Sequence, residues 1–283
     1  MSFQQKLALS FVRNKLRLLH LLSPKAAAAS AFRLFTTPQH RNTKEITGIF
    51  LQAEQLDFDF REFRIRGYRW GAGAARTALI LHGFESSIVN FGQYVQPLLD
   101  RGFCVLGFDA PAHGRSNGEQ MNVQIYMQFI EAIRDRFGPV TRFMGHSLGG
   151  LSLCLALEEQ GGYEGARAVL IAPATETRTA IDYYFRFLRL PASMRPAFDA
   201  LITERSGHPP EWFSVARVLP ALQLPILWIH DQDDDLTPLS DAEPVRRQAL
   251  PHVHFYITKG LGHRRIYRDP NVVERVVNFL SEA

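Results

Sequence analysis

The 283-residue sequence has little cysteine, no long apolar run and only a small net charge of +4. Its two cysteines, Cys104 and Cys154, both stand in apolar segments, which argues against a disulfide framework and a cysteine-rich metal cluster. No segment approaches the roughly 20 apolar residues of a membrane-spanning helix. Basic residues between positions 13 and 17 interrupt the region where a signal peptide would have its apolar core. We therefore expect a cytoplasmic protein that is neither exported nor membrane-spanning.

The small net charge conceals an uneven distribution along the chain. Residues 1–44 contain eight basic residues and no acidic residue, whereas the remainder has 24 Lys and Arg against 28 Asp and Glu. The body of the protein is therefore slightly acidic, which does not suit a nucleic-acid partner. A hydrophobic content of 46% is typical of a folded globular protein rather than a disordered one.

Residues 3–22 predict an amphipathic helix, because basic and polar side chains follow one stripe and Leu and Phe side chains follow another. The pair Ser23-Pro24 ends this helix. Three roles are open for it: packing on the protein itself or on a second copy in a homo-oligomer, peripheral contact with a membrane surface, or service as a transit peptide.

The rest of the chain alternates between short apolar runs and longer segments with helical spacing. Residues 55–70 alternate apolar and polar positions, which predicts an antiparallel start to a sheet. The later alternation is typical of an α/β fold with a mainly parallel, doubly wound sheet. The strand candidates are 77–81, 104–108, 141–144, 166–171, 225–229 and 253–257, and the helix candidates are 90–100, 121–137, 148–160 and 270–281.

Residues 175–220 break this rhythm because they are too long for one crossover helix. The segment is rich in aromatic residues and punctuated by prolines, which predicts an inserted cap of short helices around an apolar pocket. The sequence thus divides into a basic helical extension at 1–44 and a domain at 45–283 that carries the insertion.

The sharpest local motif is Gly145-His146-Ser147-Leu148-Gly149, which lies between a predicted strand and a predicted helix. This G-x-S-x-G pattern in this context is typical of a nucleophile elbow, where glycines let the strand and helix approach and the serine sits at the helix N-terminus. Leu81-His82-Gly83-Phe84 ends an earlier strand. We expect the backbone N–H groups of Phe84 and Leu148 to form an oxyanion hole.

Five separated motifs together resemble the α/β-hydrolase superfamily over about residues 55–281, and in particular its esterase- and lysophospholipase-like serine hydrolases. The resemblance implies an α/β-hydrolase fold with a helical cap, and a catalytic acid in the loop after a late strand. Aligning His230 and Pro238 to the family pattern places that acid at Asp234, with Asp233 as the alternative. The motifs are LHGF, FDAPAHGRSNG at 108–118, GHSLGG, IHDQDDDLTP at 229–238 and GLGH at 260–263.

Of the ten histidines, His263 alone follows the final predicted strand, within a glycine-rich loop. Its expected role is general base toward Ser147, with Asp234 orienting its ring. His82, His146 and His113 are interpreted as structural or pocket-lining residues.

The constellation predicts a serine hydrolase that cleaves a carboxylic ester or thioester of an apolar acyl group through an acyl-enzyme intermediate. Two alternatives stay open: an acyltransferase on lipid-like substrates, and a ligand-binding protein of the same fold without turnover. No phosphate-binding glycine loop or metal-ligand spacing is present, so no cofactor is expected.

Overall fold

A computed structural model describes residues 3–161 and 165–282. Its centre is an eight-stranded sheet in the order β1-β2-β4-β3-β5-β6-β7-β8, in which β1, β2 and β4 pair antiparallel and all the remaining neighbours pair parallel. The strands are β1 (Glu54–Phe60), β2 (Phe63–Trp70), β3 (Arg76–Leu81), β4 (Phe103–Asp109), β5 (Arg142–His146), β6 (Arg167–Ile171), β7 (Ile226–Asp231) and β8 (Val253–Thr258).

Three of the inner strands are buried along their whole length. Every residue of β4, β5 and β7 is buried, as expected for parallel strands with helices on both faces. The antiparallel β1 shows the other pattern, with Leu56, Phe58 and Phe60 buried and the residues between them exposed. Each predicted strand is confirmed within two residues at its ends, and so is the antiparallel start.

Helices flank the sheet and alternate with its strands along the chain, as the alternation of apolar runs and helical segments in the sequence predicts. Short 3₁₀ turns at Ile88–Tyr94, Pro210–Trp212 and Leu239–Asp241 are among those that connect them. The α-helices are α1 (Phe3–Leu22), α2 (Pro24–Thr36), α3 (Val95–Leu99), α4 (Val123–Phe137), α5 (Leu148–Gln160), α6 (Thr177–Leu188), α7 (Arg195–Ser206), α8 (Val215–Val218), α9 (Glu243–Gln248), α10 (Gly262–Arg265) and α11 (Pro270–Ser281).

The predicted end of α1 at Ser23-Pro24 is confirmed, but a second helix follows at once. Ser23 accepts a hydrogen bond from the Ala26 N–H at 3.3 Å, and Pro24 occupies the first turn of α2, where its missing N–H costs nothing. The same dipeptide therefore ends one helix and caps the next. Within the described residues no helix has the length and apolar character that crossing a membrane requires.

The chain forms two compact units. The helical unit comprises Met1–Thr37 and Glu176–Phe213, and the sheet unit comprises Pro38–Thr175 and Ser214–Ala283. These boundaries differ from the predicted division at 44/45, and the insertion that joins the helical unit is shorter than the predicted 175–220. The N-terminal helices group with the insertion because they share a core with it.

The core of the helical unit is built from both chain segments. The Phe32 ring on α2 lies 6.1 Å from the Phe198 ring on α7, and the Tyr184 hydroxyl on α6 donates to the Ala31 carbonyl at 2.8 Å. Ala31 and Phe198 are fully buried. Small alanines along one face of α2 thus let it approach the aromatic insertion closely.

Candidate active site

Ser147 occupies a strained turn between β5 and α5. Its φ of 54° and ψ of −121° lie in a region that a side chain usually avoids, at a cost of about 1–3 kcal/mol. Two hydrogen bonds hold this turn: the Ser147 N–H donates to the Ile171 carbonyl at 3.1 Å, and the Ser147 carbonyl accepts from Ala174 at 3.1 Å. The turn presents the hydroxyl at the N-terminus of α5, the geometry of a nucleophile elbow.

Glycines are required where β5 and α5 approach. A Cβ at Gly145 would lie 2.7 Å from Gly150 Cα, and a Cβ at Gly149 would lie 2.7 Å from the His82 carbonyl oxygen. Both clashes are with backbone atoms, which cannot move aside. The glycine pattern in the sequence is therefore explained by close packing around the serine.

A hydrogen-bonded chain joins the three side chains that the sequence selects. Ser147 Oγ lies 3.0 Å from His263 Nε2, and His263 Nδ1 lies 2.8 Å from Asp234 Oδ2. With Nδ1–H donating to the carboxylate, Nε2 is left to accept the serine proton. His263 is 8% exposed and Asp234 is 5% exposed, so water screens this pair weakly.

The environment of Asp234 favours its ionised form. Burial alone would raise the pKa of this carboxyl, but hydrogen bonds from His263 and Thr237, with the charge interaction of His263, outweigh burial and lower the pKa below its usual value. The backbone N–H groups of Leu236 and Thr237 donate to Asp234 Oδ1 at 3.0 and 2.9 Å. The carboxylate is thus held charged and fixed in direction.

Thr237 is a site residue that sequence reasoning missed. Its hydroxyl donates to Asp234 Oδ2 at 2.9 Å and lies 3.1 Å from His263 Nδ1. A threonine three residues after an acid is common in turns, so no local signal marked it. In the fold its hydroxyl holds Oδ2, the Asp234 oxygen that accepts the hydrogen bond from His263 Nδ1.

Asp233, the alternative acid, does not contact His263. Its Oδ2 accepts from the Gly260 N–H at 2.9 Å. Asp231 accepts from the Leu261 N–H at 3.0 Å and from the Thr258 hydroxyl at 2.6 Å. Both carboxylates therefore anchor the loop that carries the histidine, and Asp234 alone of the three meets its ring.

His230 is a buried neighbour of Asp234. Its Nδ1 accepts from the Trp228 indole N–H at 3.1 Å, while its Nε2 donates to the Thr237 carbonyl at 2.6 Å. Burial lowers the pKa of this ring, which favours its neutral form, and Nε2 is 3.8 Å from Asp234 Oδ2. The sequence showed no functional pattern at His230. In the structure this ring supports the turn that carries Asp234, through its hydrogen bond to the Thr237 carbonyl.

Because Gly83 has no side chain, the loop after β3 can pack closely against Ser147. A Cβ built at Gly83 would lie 2.8 Å from Ser147 Cβ and 3.0 Å from His146 Nδ1. The next residue is Phe84, whose N–H is an expected oxyanion donor, and the loop that carries it packs against the nucleophile. Across the residues that the structure describes, no acceptor is recorded for the N–H of Phe84 or of Leu148. Two backbone donors near Ser147 are thus open to a ligand oxygen.

Two buried histidines hold this loop in place. His82 Nδ1 donates to the Gly83 carbonyl at 2.8 Å and its Nε2 accepts from the Ala110 N–H at 3.0 Å. His113 Nε2 accepts from the Glu85 N–H at 3.0 Å. Burial lowers the pKa of His82 to about 4 and, with the nearby His82 ring, that of His113 to about 3. Both rings are therefore neutral structural elements.

His146 braces the histidine loop directly. Its Nε2 donates to the His263 carbonyl at 3.1 Å, and its ring lies 4.8 Å from the His263 ring and 4.7 Å from that of Tyr267. Burial holds the pKa of His146 well below its usual value. It supports the neighbouring ring and does not offer a second base.

An open cleft of about 380 Å³ borders His263 within the sheet unit. Two half-buried leucines, Leu236 and Leu261, give it apolar surface, and Asp235, Arg264 and Arg265 give it charged surface of both signs. The cleft offers space beside the imidazole. Nowhere in the described part of the chain do three or more His, Cys, Asp or Glu side chains gather as metal ligands would.

The mainly parallel eight-stranded sheet, the strained serine turn after β5 and the histidine after the last strand define an α/β-hydrolase. A family model described as "Serine aminopeptidase, S33" matches residues 73–214, which is half of the chain. The chain belongs to this family of α/β-hydrolases, and so it is a hydrolase. The matched segment includes Ser147, whereas Asp234 and His263 lie beyond it.

The individual proteins that match this chain have low sequence identity to it. An uncharacterized protein of Bacillus subtilis (strain 168), YqkD, is 24% identical over 222 residues, which span 72% of this chain and 70% of that one. The esterase Pf2001 of Pyrococcus furiosus superposes with a TM-score of 0.64 at 21% identity, covering 87% of this chain and 97% of its own. Est1E from Butyrivibrio proteoclasticus, solved with ferulic acid bound, gives 0.61 at 18% identity, with coverages of 79% and 97%. These solved structures share the fold.

Proposed function

We propose that the protein is a serine esterase or thioesterase that uses Ser147, His263 and Asp234 as a catalytic triad. The observation that carries the proposal is the chain of two hydrogen bonds, 3.0 Å from Ser147 Oγ to His263 Nε2 and 2.8 Å from His263 Nδ1 to Asp234 Oδ2. A histidine hydrogen-bonded to a serine at a helix N-terminus is the arrangement that acyl transfer requires. The name of the Pyrococcus esterase, a relative in fold, supports the same chemistry.

In the first half-reaction His263 Nε2 takes the Ser147 proton while Oγ bonds to the carbonyl carbon of the substrate. The carbonyl oxygen becomes an oxyanion that the N–H groups of Phe84 and Leu148 receive. The tetrahedral adduct then expels the alcohol or thiol, which takes the proton from His263 and leaves the acyl group on Ser147. Water repeats the sequence, releases the acid and restores the serine.

An apolar acyl portion is the second part of the proposal. Leu236 and Leu261 line the cleft beside His263, and Phe84 and Leu148 are half-buried next to the serine. Burying each added methylene on such surfaces contributes about 0.8 kcal/mol, or up to about fourfold in binding. We expect kcat/KM for p-nitrophenyl esters to rise with acyl length from acetate to hexanoate, which a chain-length series measures.

Labelling with a fluorophosphonate tests the nucleophile. The wild type should label and turn over esters, and Ser147→Ala should do neither while its circular dichroism and melting temperature stay close to wild type. Ser152→Ala is the matched control, because Ser152 lies on α5, is fully buried and has no hydrogen-bond partner recorded for its hydroxyl in the described structure. It should label normally.

Each other outcome has a defined meaning. Ester hydrolysis by Ser147→Ala at the wild-type rate would overturn the assignment. A folded wild type that neither labels nor turns over would instead be a ligand-binding protein of this fold. Labelling with product formed only when an alcohol acceptor is added would make the reaction acyl transfer rather than hydrolysis.

A further inference from the structure

Helix α1 exposes a continuous apolar stripe. Leu7, Phe11, Leu18 and Leu22 recur at spacings that place them on one helical face, with Leu21 at its edge. Their exposed fractions are 63%, 69%, 60% and 76%, and that of Leu21 is 82%. Single exposed leucines are ordinary on a protein surface, but five large apolar side chains along one helix form a patch that calls for a partner.

The opposite face of α1 packs on the protein itself and is hydrogen-bonded to it. Leu16 is 2% exposed, the Arg13 guanidinium donates to the Leu188 carbonyl at 2.9 Å, and Arg17 donates to the Arg189 carbonyl at 2.6 Å. These arginines satisfy carbonyls at the C-terminal end of α6. The helix is therefore fixed with its apolar stripe outward and cannot bury that stripe by rolling over.

Positive charge flanks the stripe. On a helical projection Lys15 lies on one side of it and Lys6 lies on the other. The helical unit has eleven Lys and Arg against five Asp and Glu, a net charge of +6, whereas the sheet unit has 21 against 23, a net charge of −2. The positive charge of the protein is concentrated where the apolar stripe is exposed.

We propose that α1 is a docking surface for an anionic lipid bilayer. Lying flat, a 20-residue helix about 30 Å long would place its leucines and Phe11 at the boundary of headgroups and acyl chains, while the lysines reach the phosphates. Because no described helix can span a membrane, the contact is peripheral. The same unit exposes Tyr183 and Phe187, a stacked ring pair 6.2 Å apart, of the type found at membrane interfaces.

Charge complementarity favours a bilayer over a second copy of the chain. A symmetric dimer through α1 would place two copies of the same basic segment together, and residues 1–44 contain no acidic residue to offset the repulsion. An anionic surface attracts every one of these cations. This inference concerns where the protein binds and does not depend on the triad.

Co-sedimentation of the full chain with vesicles tests the proposal. The vesicles are phosphatidylcholine alone, or phosphatidylcholine with 30% phosphatidylglycerol, at 50 and 500 mM salt. The protein should bind the anionic vesicles at low salt, bind more weakly at high salt, and bind the neutral vesicles least. Phe11→Glu and Leu18→Glu should each lower the partition coefficient at least tenfold, because each places a charge on the apolar stripe.

Two matched controls separate the docking surface from general effects. Leu51→Glu changes a residue of the sheet unit that is 73% exposed, and its binding should equal wild type. Lys15→Glu and Arg247→Glu make the same change in net charge, but only Lys15→Glu should weaken binding, by about fivefold or more. Circular dichroism and the melting temperature of each variant without vesicles report that folding is intact.

Three results would overturn the proposal. The first is a folded wild type that stays in the supernatant with anionic vesicles at low salt. The second is a dimer, seen by sedimentation velocity, that Phe11→Glu dissociates while the wild type does not bind vesicles, which would assign the stripe to a second copy of this chain. The third is an equal loss of vesicle binding in Leu51→Glu, which would place the binding surface outside α1.

Discussion

Asp234 and Asp233 are adjacent in sequence but have different partners. Asp234 accepts a hydrogen bond from the His263 ring, whereas Asp233 accepts one from the backbone N–H of Gly260. We therefore expect Asp234→Asn to lower kcat by about 10⁴, since an amide in place of the carboxylate disturbs the tautomer of the histidine. Asp233→Asn should lower kcat less than tenfold, because an amide oxygen can still accept from Gly260. Steady-state kinetics on one ester compares the two variants, and a larger loss in Asp233→Asn would reverse the assignment.

At the scale of single residues, the sequence singled out Ser147 and His263 as candidates because each belongs to a motif whose place in the chain is fixed by the fold. The acid was ambiguous, since four aspartates stand within five positions. Thr237 and His230 were missed for a different reason. They act by supporting Asp234 through tertiary contacts, and a turn threonine or a strand histidine has no distinguishing pattern in sequence.

Among the structural elements, the loop after β3 depends on two neutral histidines. The folded-state pKa is about 4 for His82 and about 3 for His113, whereas an unfolded chain protonates histidine near 6.5. Between these values the unfolded state binds protons that the folded state does not. The free energy of unfolding should therefore fall as the pH drops from 6.5 toward 4, by about 3 kcal/mol for His82 alone.

Urea unfolding at pH 7.5, 6.5, 5.5 and 4.5 measures this dependence. His113→Gln should be less stable than wild type at pH 7.5 and should lose less stability on acidification, because glutamine does not titrate. His254→Gln, at an exposed position, should follow the wild-type curve. A wild-type free energy that stays flat from pH 6.5 to 4.5 would contradict the neutral, buried state of these rings.

The strands could be predicted because a buried parallel strand is a short apolar run between turn residues, a signal that is local. Helix α2 could not be predicted from the same signals. Its buried residues are mostly alanines, so the apolar contrast between its faces is weak, and its N-cap Ser23 was interpreted only as the end of α1. What fixes α2 is contact with α7, which is distant in sequence.

For the whole molecule, the first residues of the sheet unit offer a test of how the N-terminal helices are held. Residues 38–47 have no helix or strand, and Arg41 and Lys44 are exposed within them. Limited trypsin digestion should cut there, and the N-terminal fragment should still co-elute with the rest on size exclusion, because α2 shares a buried core with α7. Release of the fragment without denaturant would contradict that packing, and Arg41→Gln/Lys44→Gln should resist the cut.

The grouping of residues 1–37 with 176–213 was beyond the reach of sequence reasoning. Periodicity shows that a helix has an apolar face, but it does not say which other apolar face will cover it. The predicted division at residue 44 followed charge, which changes where the acid-free segment ends. The observed division follows packing, and the two do not have to coincide.

The discontinuous helical unit also has a consequence for synthesis. Arg13 meets its partner carbonyl 175 residues later in the chain, and residues 1–37 leave the ribosome before residues 176–213 exist. At 5–20 residues per second the delay is on the order of ten seconds. During that time α1 and α2 can contact each other, but Phe32 lacks the Phe198 ring that lies 6.1 Å from it in the folded protein. The first helices to be made are therefore only partly covered, and are exposed to chaperones, throughout the interval.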